Sequence, residues 1–275
     1  MYTYRPNMTT VSDPDGTAPA FGSDRPVVVE VKNLVKTYGT KGFQATVLKG
    51  IDLTICKHDF IAIMGPSGSG KTTLLNILST IDRPSMGTVA LDGQDLTKAS
   101  NKELSRLRRD KIGFVFQDYS LLDTMTLQDN IALPLSLSGS PGRLCLQKVQ
   151  TLAAAFGLTE HLGKYPYQLS GGQKQRGAAC RALIADPEII FADEPTGALD
   201  SKSSRDLLAC LKAVNEKGQA TILMVTHDPF CASYAKDVYM LQDGQITCRI
   251  GSGGERKEFY DRICDLQAST GGDRP

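Results

Sequence analysis

Gly65-Pro66-Ser67-Gly68-Ser69-Gly70-Lys71-Thr72 satisfies the pattern G-x-x-x-x-G-K-[ST] at every position. It follows the apolar run Phe60-Ile61-Ala62-Ile63-Met64 and leads into Thr73-Leu74-Leu75-Asn76-Ile77-Leu78. The stretch therefore reads as a strand, a glycine-rich turn and a helix. Glycines let successive N–H groups curl around an anion, because positive φ costs them little. The helix start adds a partial positive charge of about 0.5. The loop is expected to cradle phosphates, with Lys71 reaching the β- and γ-phosphates and the Thr72 hydroxyl coordinating Mg²⁺. A dinucleotide turn fits less well: Gly68-Ser69-Gly70 runs on into Lys71-Thr72-Thr73, so the third glycine of G-x-G-x-x-G is missing. A guanine site would want Asn-Lys-x-Asp, and Asn101-Lys102-Glu103-Leu104 lacks its aspartate.

Working outward, Val27–Val31, Ile112–Phe116, Ile189–Ala192 and Thr221–Val225 are further apolar runs of strand length. Continuous apolar runs bounded by turns predict strands buried on both faces, hence α/β layers. Residues 121–167 are mostly helical in pattern, interrupted by Ser138-Gly139-Ser140-Pro141-Gly142, and read as a helical subdomain inserted between two α/β segments. Residues 1–25 are rich in Thr, Ser, Asp, Gly and Pro and read as a disordered extension. The main domain is expected over 26–250. A polar tail follows over 251–275, with a short helix possible over Glu255–Leu266.

With 41% hydrophobic residues, a chain of 275 can bury a sizeable core. Formal net charge is +1, so no overall basic field argues for nucleic acid. The densest basic run, Arg106, Arg108, Arg109 and Lys111, reads as a solvated helix face. The seven cysteines are scattered without a Cys-x-x-Cys pair, which fits reduced thiols rather than disulfides or zinc. His58, His161 and His227 show no ligand spacing. No apolar run approaches the ~20 residues of a membrane span. The N-terminus lacks an apolar h-region and is not expected to be a secretory signal.

Two further motifs narrow the choice among phosphate-loop proteins. Leu169-Ser170-Gly171-Gly172-Gln173 sits at the start of a predicted helix, where a hydroxyl and two glycine N–H groups can meet a second anion. Ile189-Ile190-Phe191-Ala192-Asp193-Glu194-Pro195 delivers two adjacent carboxylates at a strand end. The first resembles the signature motif of ABC ATPases and the second a Walker B motif, and the motifs stand in that family's order from about Val27 to Arg249. The resemblance implies a P-loop NTPase (RecA-like) α/β core with an inserted ABC α-helical subdomain, using ATP and Mg²⁺. It implies that Asp193, Thr72 and Gln117 serve the metal. Glu194 would activate the attacking water, and His227 and Lys71 would act on the γ-phosphate. Gln117 matches the Q-loop, Asp200 the D-loop, and Tyr38 the aromatic that stacks on adenine. Gly65 to Thr73 and Ser170 to Gln173 would line the nucleotide, the latter from a second copy of the chain.

The stretches Phe116–Thr124 and Asp193–Lys202, with Gly253-Gly254-Glu255-Arg256 and Phe259-Tyr260, are most similar to ATPases of the bacitracin-export, antimicrobial-peptide-resistance group. These sit near the macrolide-export and lipoprotein-release ATPases, which more often have Asn where Ala198 stands. The resemblance implies a homodimer serving a separate integral-membrane permease from the cytoplasmic face of the plasma membrane, peripherally, with no nucleic acid. Members of the group often work beside a sensor kinase. The alternative is the ATPase of a lipoprotein-release, macrolide-export or cell-division complex.

Overall fold

The computed structural model describes residues 25–40 and 43–270. The expected disordered extension therefore lies outside the described residues, save Arg25, as do 271–275 of the tail.

Two sheets form the frame. The first opens with β1 (Val27–Thr40) and β2 (Phe43–Cys56), an antiparallel pair. The phosphate-loop strand β3 (Phe60–Met64) and helix α1 (Lys71–Leu78) follow. Next come β4 (Met86–Leu91), β5 (Gln94–Asp95), α2 (Asn101–Asp110) and β6 (Ile112–Val115). Helices α3 (Leu127–Leu137), α4 (Gly142–Ala155) and α5 (Gly171–Leu183) precede β7 (Ile189–Asp193) and α6 (Ser201–Glu216). The chain continues through β8 (Ile222–Val225), α7 (Pro229–Ala232), β9 (Asp237–Gln242), β10 (Gln245–Gly251) and α8 (Arg256–Thr270). Strand order is β2-β1-β4-β5 in the antiparallel sheet and β10-β9-β3-β8-β7-β6 in the other. Within the second sheet β9, β3, β8, β7 and β6 run parallel.

Side-chain alternation along the central strands divides the interior in two. Phe60, Ala62 and Met64 of β3 face the helical side, with Ile190 and Ala192 of β7 and Ile222 and Met224 of β8. Ile61, Ile63, Ile189, Phe191, Leu223 and Val225 face the other way, against α1 and the antiparallel sheet. Strands buried on both faces need apolar residues at every position, as these have. Helix α1 is thus clamped between the sheets by Leu74, Leu75, Ile77 and Leu78, which fixes the phosphate loop at its start.

The segment 121–167 carries α3, α4 and two short 3-10 turns at Thr159–His161 and Pro166–Gln168. Asn130 is fully buried on α3 and ties up the loop before it. Its side-chain amide donates to the carbonyls of Leu122, Met125 and Thr126, and its oxygen accepts from Leu122 N–H. In the tail, α8 runs to Thr270, beyond the expected helix, and buries Phe259 and Ile263. Each such burial stabilises by about 1.5–3 kcal/mol.

The basic run around α2 is only partly a solvated face. Arg108 donates to the Thr80 carbonyl at 2.7 Å, just beyond α1, and Lys111 pairs with Glu188 at 2.8 Å. These contacts hold α2 against its neighbours, a tertiary role that a charge run by itself does not reveal.

Candidate nucleotide site

The parallel register sets the carboxyl ends of β3, β7 and β8 level: Val225 lies opposite both Ile63 and Asp193. Glu194 N–H donates to the Val225 carbonyl and Thr226 N–H to the Ile63 carbonyl, extending the ladder one residue beyond the strands. The phosphate loop, the paired carboxylates and the Thr226-His227 pair therefore emerge along one edge. This is the ligand side of an open parallel sheet.

In the loop, Gly68 and Gly70 take φ of +79° and +104°. A Cβ at Gly70 would also come within 2.9 Å of Leu48 Cδ2, whereas at Gly68 only the backbone conformation demands glycine. Pro66, Ser67 and Gly68 are exposed, Gly65 and Ser69 buried. Lys71 folds over the loop, donating to the carbonyls of Gly65 at 2.7 Å and Pro66 at 2.8 Å. Burial pushes its ammonium below the usual lysine range, and the Glu194 and Asp193 carboxylates oppose that shift. The Ser69 hydroxyl is buried with no hydrogen-bond partner, a state that costs about 1–3 kcal/mol and that a phosphate oxygen would relieve. Thr72 at the start of α1 is exposed, and Thr73 half-buried.

Asp193 ends β7. Burial raises its pKa, the neighbouring Glu194 charge adds to the rise, and Lys71 opposes it. Glu194 sits at φ +43°, a conformation that non-glycine residues take at a cost of about 1–3 kcal/mol. Its carboxylate is held from the next strand: Oε1 lies 2.7 Å from His227 Nδ1, and Oε2 accepts from the Thr226 hydroxyl at 3.1 Å. His227 is otherwise open, its side chain 70% exposed. The arrangement suits a base that is oriented yet accessible.

The remaining candidates are each held by partners of their own. The Gln117 side chain lies against Gly197, where a Cβ would come within 2.9 Å of its amide nitrogen. Tyr38 donates to Asp82 at 2.7 Å, with Lys36 Nζ 4.6 Å from its ring centroid. Tyr38 remains 42% exposed, which leaves room for a flat partner. Ser170 caps α5, accepting from Gln173 N–H, while the Gln173 side chain accepts from Ser170 N–H. Gly171 packs against the Tyr119 hydroxyl and Gly172 against Ser203. Asp200 caps α6; hydrogen bonds from the Ser203 backbone and hydroxyl hold its carboxyl below the usual range. Among the described residues, no hydrogen bond joins the phosphate loop to Ser170–Gln173.

Three residues that pattern reading did not single out organise these groups. Thr226 is fully buried and orients Glu194. Arg181 donates to the carbonyls of Tyr119 and Ser120, two consecutive residues at positive φ just beyond Gln117. Gln175 is fully buried on α5 and donates to both the Phe116 carbonyl before Gln117 and the Pro195 carbonyl after Glu194. A polar residue on the buried face of an otherwise small-residue helix is the signal that could have found it. Gln175→Leu removes both bonds, leaving the Pro195 carbonyl without its donor and the Phe116 carbonyl with only the Tyr119 N–H at 3.3 Å, and is expected to destabilise the fold by about 1–3 kcal/mol in urea unfolding. Unchanged stability would show that the bridge contributes nothing.

Among the described residues, no cluster of three or more His, Cys, Asp and Glu could hold a metal alone. The donors at hand are a carboxylate, a hydroxyl and an amide oxygen. That set suits Mg²⁺, which is commonly held by one or two carboxylates together with substrate phosphates and water.

Comparison with known proteins agrees with this geometry. The family profile described as ABC transporter matches residues 48–197. The chain is 50% identical over 246 residues to the bacitracin export ATP-binding protein BceA of Halalkalibacterium halodurans, covering 89% of this chain and 97% of that one. It is 43% identical over 233 residues to the macrolide export ATP-binding/permease protein MacB of Syntrophobacter fumaroxidans, covering 83% of this chain and 32% of that one. Among solved structures, the ATP-binding cassette MJ0796, dimeric in a post-hydrolysis state bound to ADP and Pi, superposes with a TM-score of 0.75. It is 38% identical, with 82% of this chain and all of that one covered.

Proposed function

The chain belongs to the ABC transporter family as an ATP-binding, ATP-hydrolysing subunit, and from that premise we propose that it powers a separate membrane permease for antimicrobial-peptide export or detoxification. The observation that carries the chemical part is the meeting of Lys71, Asp193, Glu194 and His227 along one sheet edge, with Glu194 held by Thr226 and His227.

In this reading Gly65 to Thr73 wrap the triphosphate, with Lys71 exchanging its loop carbonyls for phosphate oxygens. Tyr38 stacks on adenine. Asp193, the Thr72 hydroxyl and the Gln117 amide would hold Mg²⁺, which would neutralise phosphate charge when bound. Glu194 takes the proton of the attacking water, or orients it, and His227 contacts the γ-phosphate. Ser170 to Gln173 and Asp200 belong to the same nucleotide site but reach it from a second copy of the chain. The helical segment 121–167, inserted into the domain spanning 26–250, faces the permease, with the tail 251–275 beyond. Among the described residues no helix is long and apolar enough to cross a membrane. Likeness to the bacitracin export ATP-binding protein supports reading the chain as a peripheral subunit on the cytoplasmic face of the plasma membrane.

Cargo is assigned from the relative at 50% identity, ahead of the macrolide-export relative at 43%. Deleting the chain from its own cell is expected to lower the minimum inhibitory concentration of bacitracin and leave that of a macrolide unchanged. The reverse pattern would transfer the assignment to macrolide export.

A further inference from the structure

The peptide unit that follows His227 is held at both ends by side chains. Its N–H, on Asp228, donates to the Thr226 hydroxyl at 3.1 Å. Its C=O, on His227, accepts from Gln267 Nε2 at 3.3 Å. The two holders come from different parts of the fold. Thr226 is fully buried at the end of β8 and at the same time donates to Glu194. Gln267 is on α8, the C-terminal helix.

Helix α8 is well placed to give that contact a fixed position. Phe259 and Ile263 are buried to 1% and 0% exposure in the core. At its start, the Arg256 guanidinium lies 4.6 Å from the Tyr234 ring and 5.4 Å from the Phe230 ring, on and just after α7. From Arg256 to Gln267 is eleven residues, about 16 Å of helix. A rigid rod anchored on α7 thus delivers its amide to the backbone directly before α7. The His227 side chain itself is mostly solvent-exposed and touches only the Glu194 carboxylate among the contacts above. Its direction is therefore set by the Glu194 contact and by the backbone that carries it, and turning the peptide after it requires breaking one or both of the flanking hydrogen bonds.

We propose that Gln267 is a positioning residue for ATP hydrolysis: it fixes the peptide after His227 and thereby aims the imidazole. The inference rests on the role given to His227 above. Gln267 donates to the His227 backbone, so its effect on turnover is expected to pass through His227.

The test uses the full chain. Gln267→Met keeps length and flexibility but removes the donor. Turnover is expected to fall about three- to tenfold, the size of one net hydrogen bond, with KM for ATP and thermal midpoint unchanged. Gln267→Lys restores a donor and is expected to recover most of the loss. In a His227→Ala background, Gln267→Met is expected to have no further effect in single-turnover assays, because residues acting through one group are not additive. The proposal is overturned if Gln267→Met leaves turnover unchanged, if KM or the thermal midpoint moves with it, if Gln267→Lys recovers nothing, or if the losses add in the double variant. Parent-level turnover in His227→Ala alone would instead remove the role of His227, and the inference with it.

Discussion

Glu194→Gln is expected to reduce steady-state ATP hydrolysis by about 10²-fold or more, the contribution a positioned general base ordinarily makes. That corresponds to about 3 kcal/mol of barrier. The substitution keeps size and shape. The glutamine oxygen can still accept from the Thr226 hydroxyl, which stands 3.1 Å from the native Oε2. What disappears is the basic carboxylate beside His227 Nδ1. ATP binding should persist, since Lys71 and the loop are untouched, and one fewer negative charge beside Asp193 eases the approach of a triphosphate. Turnover at the parent rate, with binding intact, would remove Glu194 from the chemistry.

How far residues alone revealed this site varies with the kind of order each part requires. The phosphate loop is legible because its glycines answer to local backbone geometry. Strands β3, β7 and β8 are legible because burial on both faces leaves no polar position to blur the run. Strand β1 is different. Only Val27–Val31 stands out, yet the strand continues to Thr40. Register shifts between Val31 and Leu34, with Asn33 at φ +47°, break the alternation that would have marked its second half. The β9–β10 hairpin turns on Asp243-Gly244, both at positive φ, the Asp-Gly pair that such two-residue turns favour.

At the site, Lys71, Asp193, Glu194 and His227 are all recognisable by motif, and the structure shows how the register brings them level. Thr226, Gln175 and Arg181 are not recognisable that way. Five of their six partners lie 20 to 62 residues distant, and four of those five are backbone carbonyls of the intervening loops or of residues flanking the motifs. Only Asp228 is close in sequence. Side chains that serve remote backbone carry no local pattern.

The central claim is that each ATP is shared between Lys71 of one chain and Ser170 of another. Within one chain these elements are not joined among the described residues. Each is also already a complete local structure, Lys71 bonded to its own loop and Ser170 capping its own helix. Binding energy from both half-sites would make dimerisation depend on ATP by linkage. An isologous pair has two equivalent sites. Lys71→Ala and Ser170→Arg should each therefore abolish the ATP-driven dimer when present in both chains, although Ser170→Arg also loses a helix cap worth about 1 kcal/mol. Thermal melting of each variant separates that cost from loss of the site.

In a mixed pair the two lesions fall differently. One site keeps Lys71 from the Ser170→Arg chain and Ser170 from the Lys71→Ala chain, while the other carries both lesions. The deciding measurement is sedimentation of the mixed variants with ATP, both in a Glu194→Gln background so that the complex persists. Shared sites predict that mixing restores an ATP-dependent dimer that neither variant forms alone; a mixture that sediments as the average of the two would contradict them.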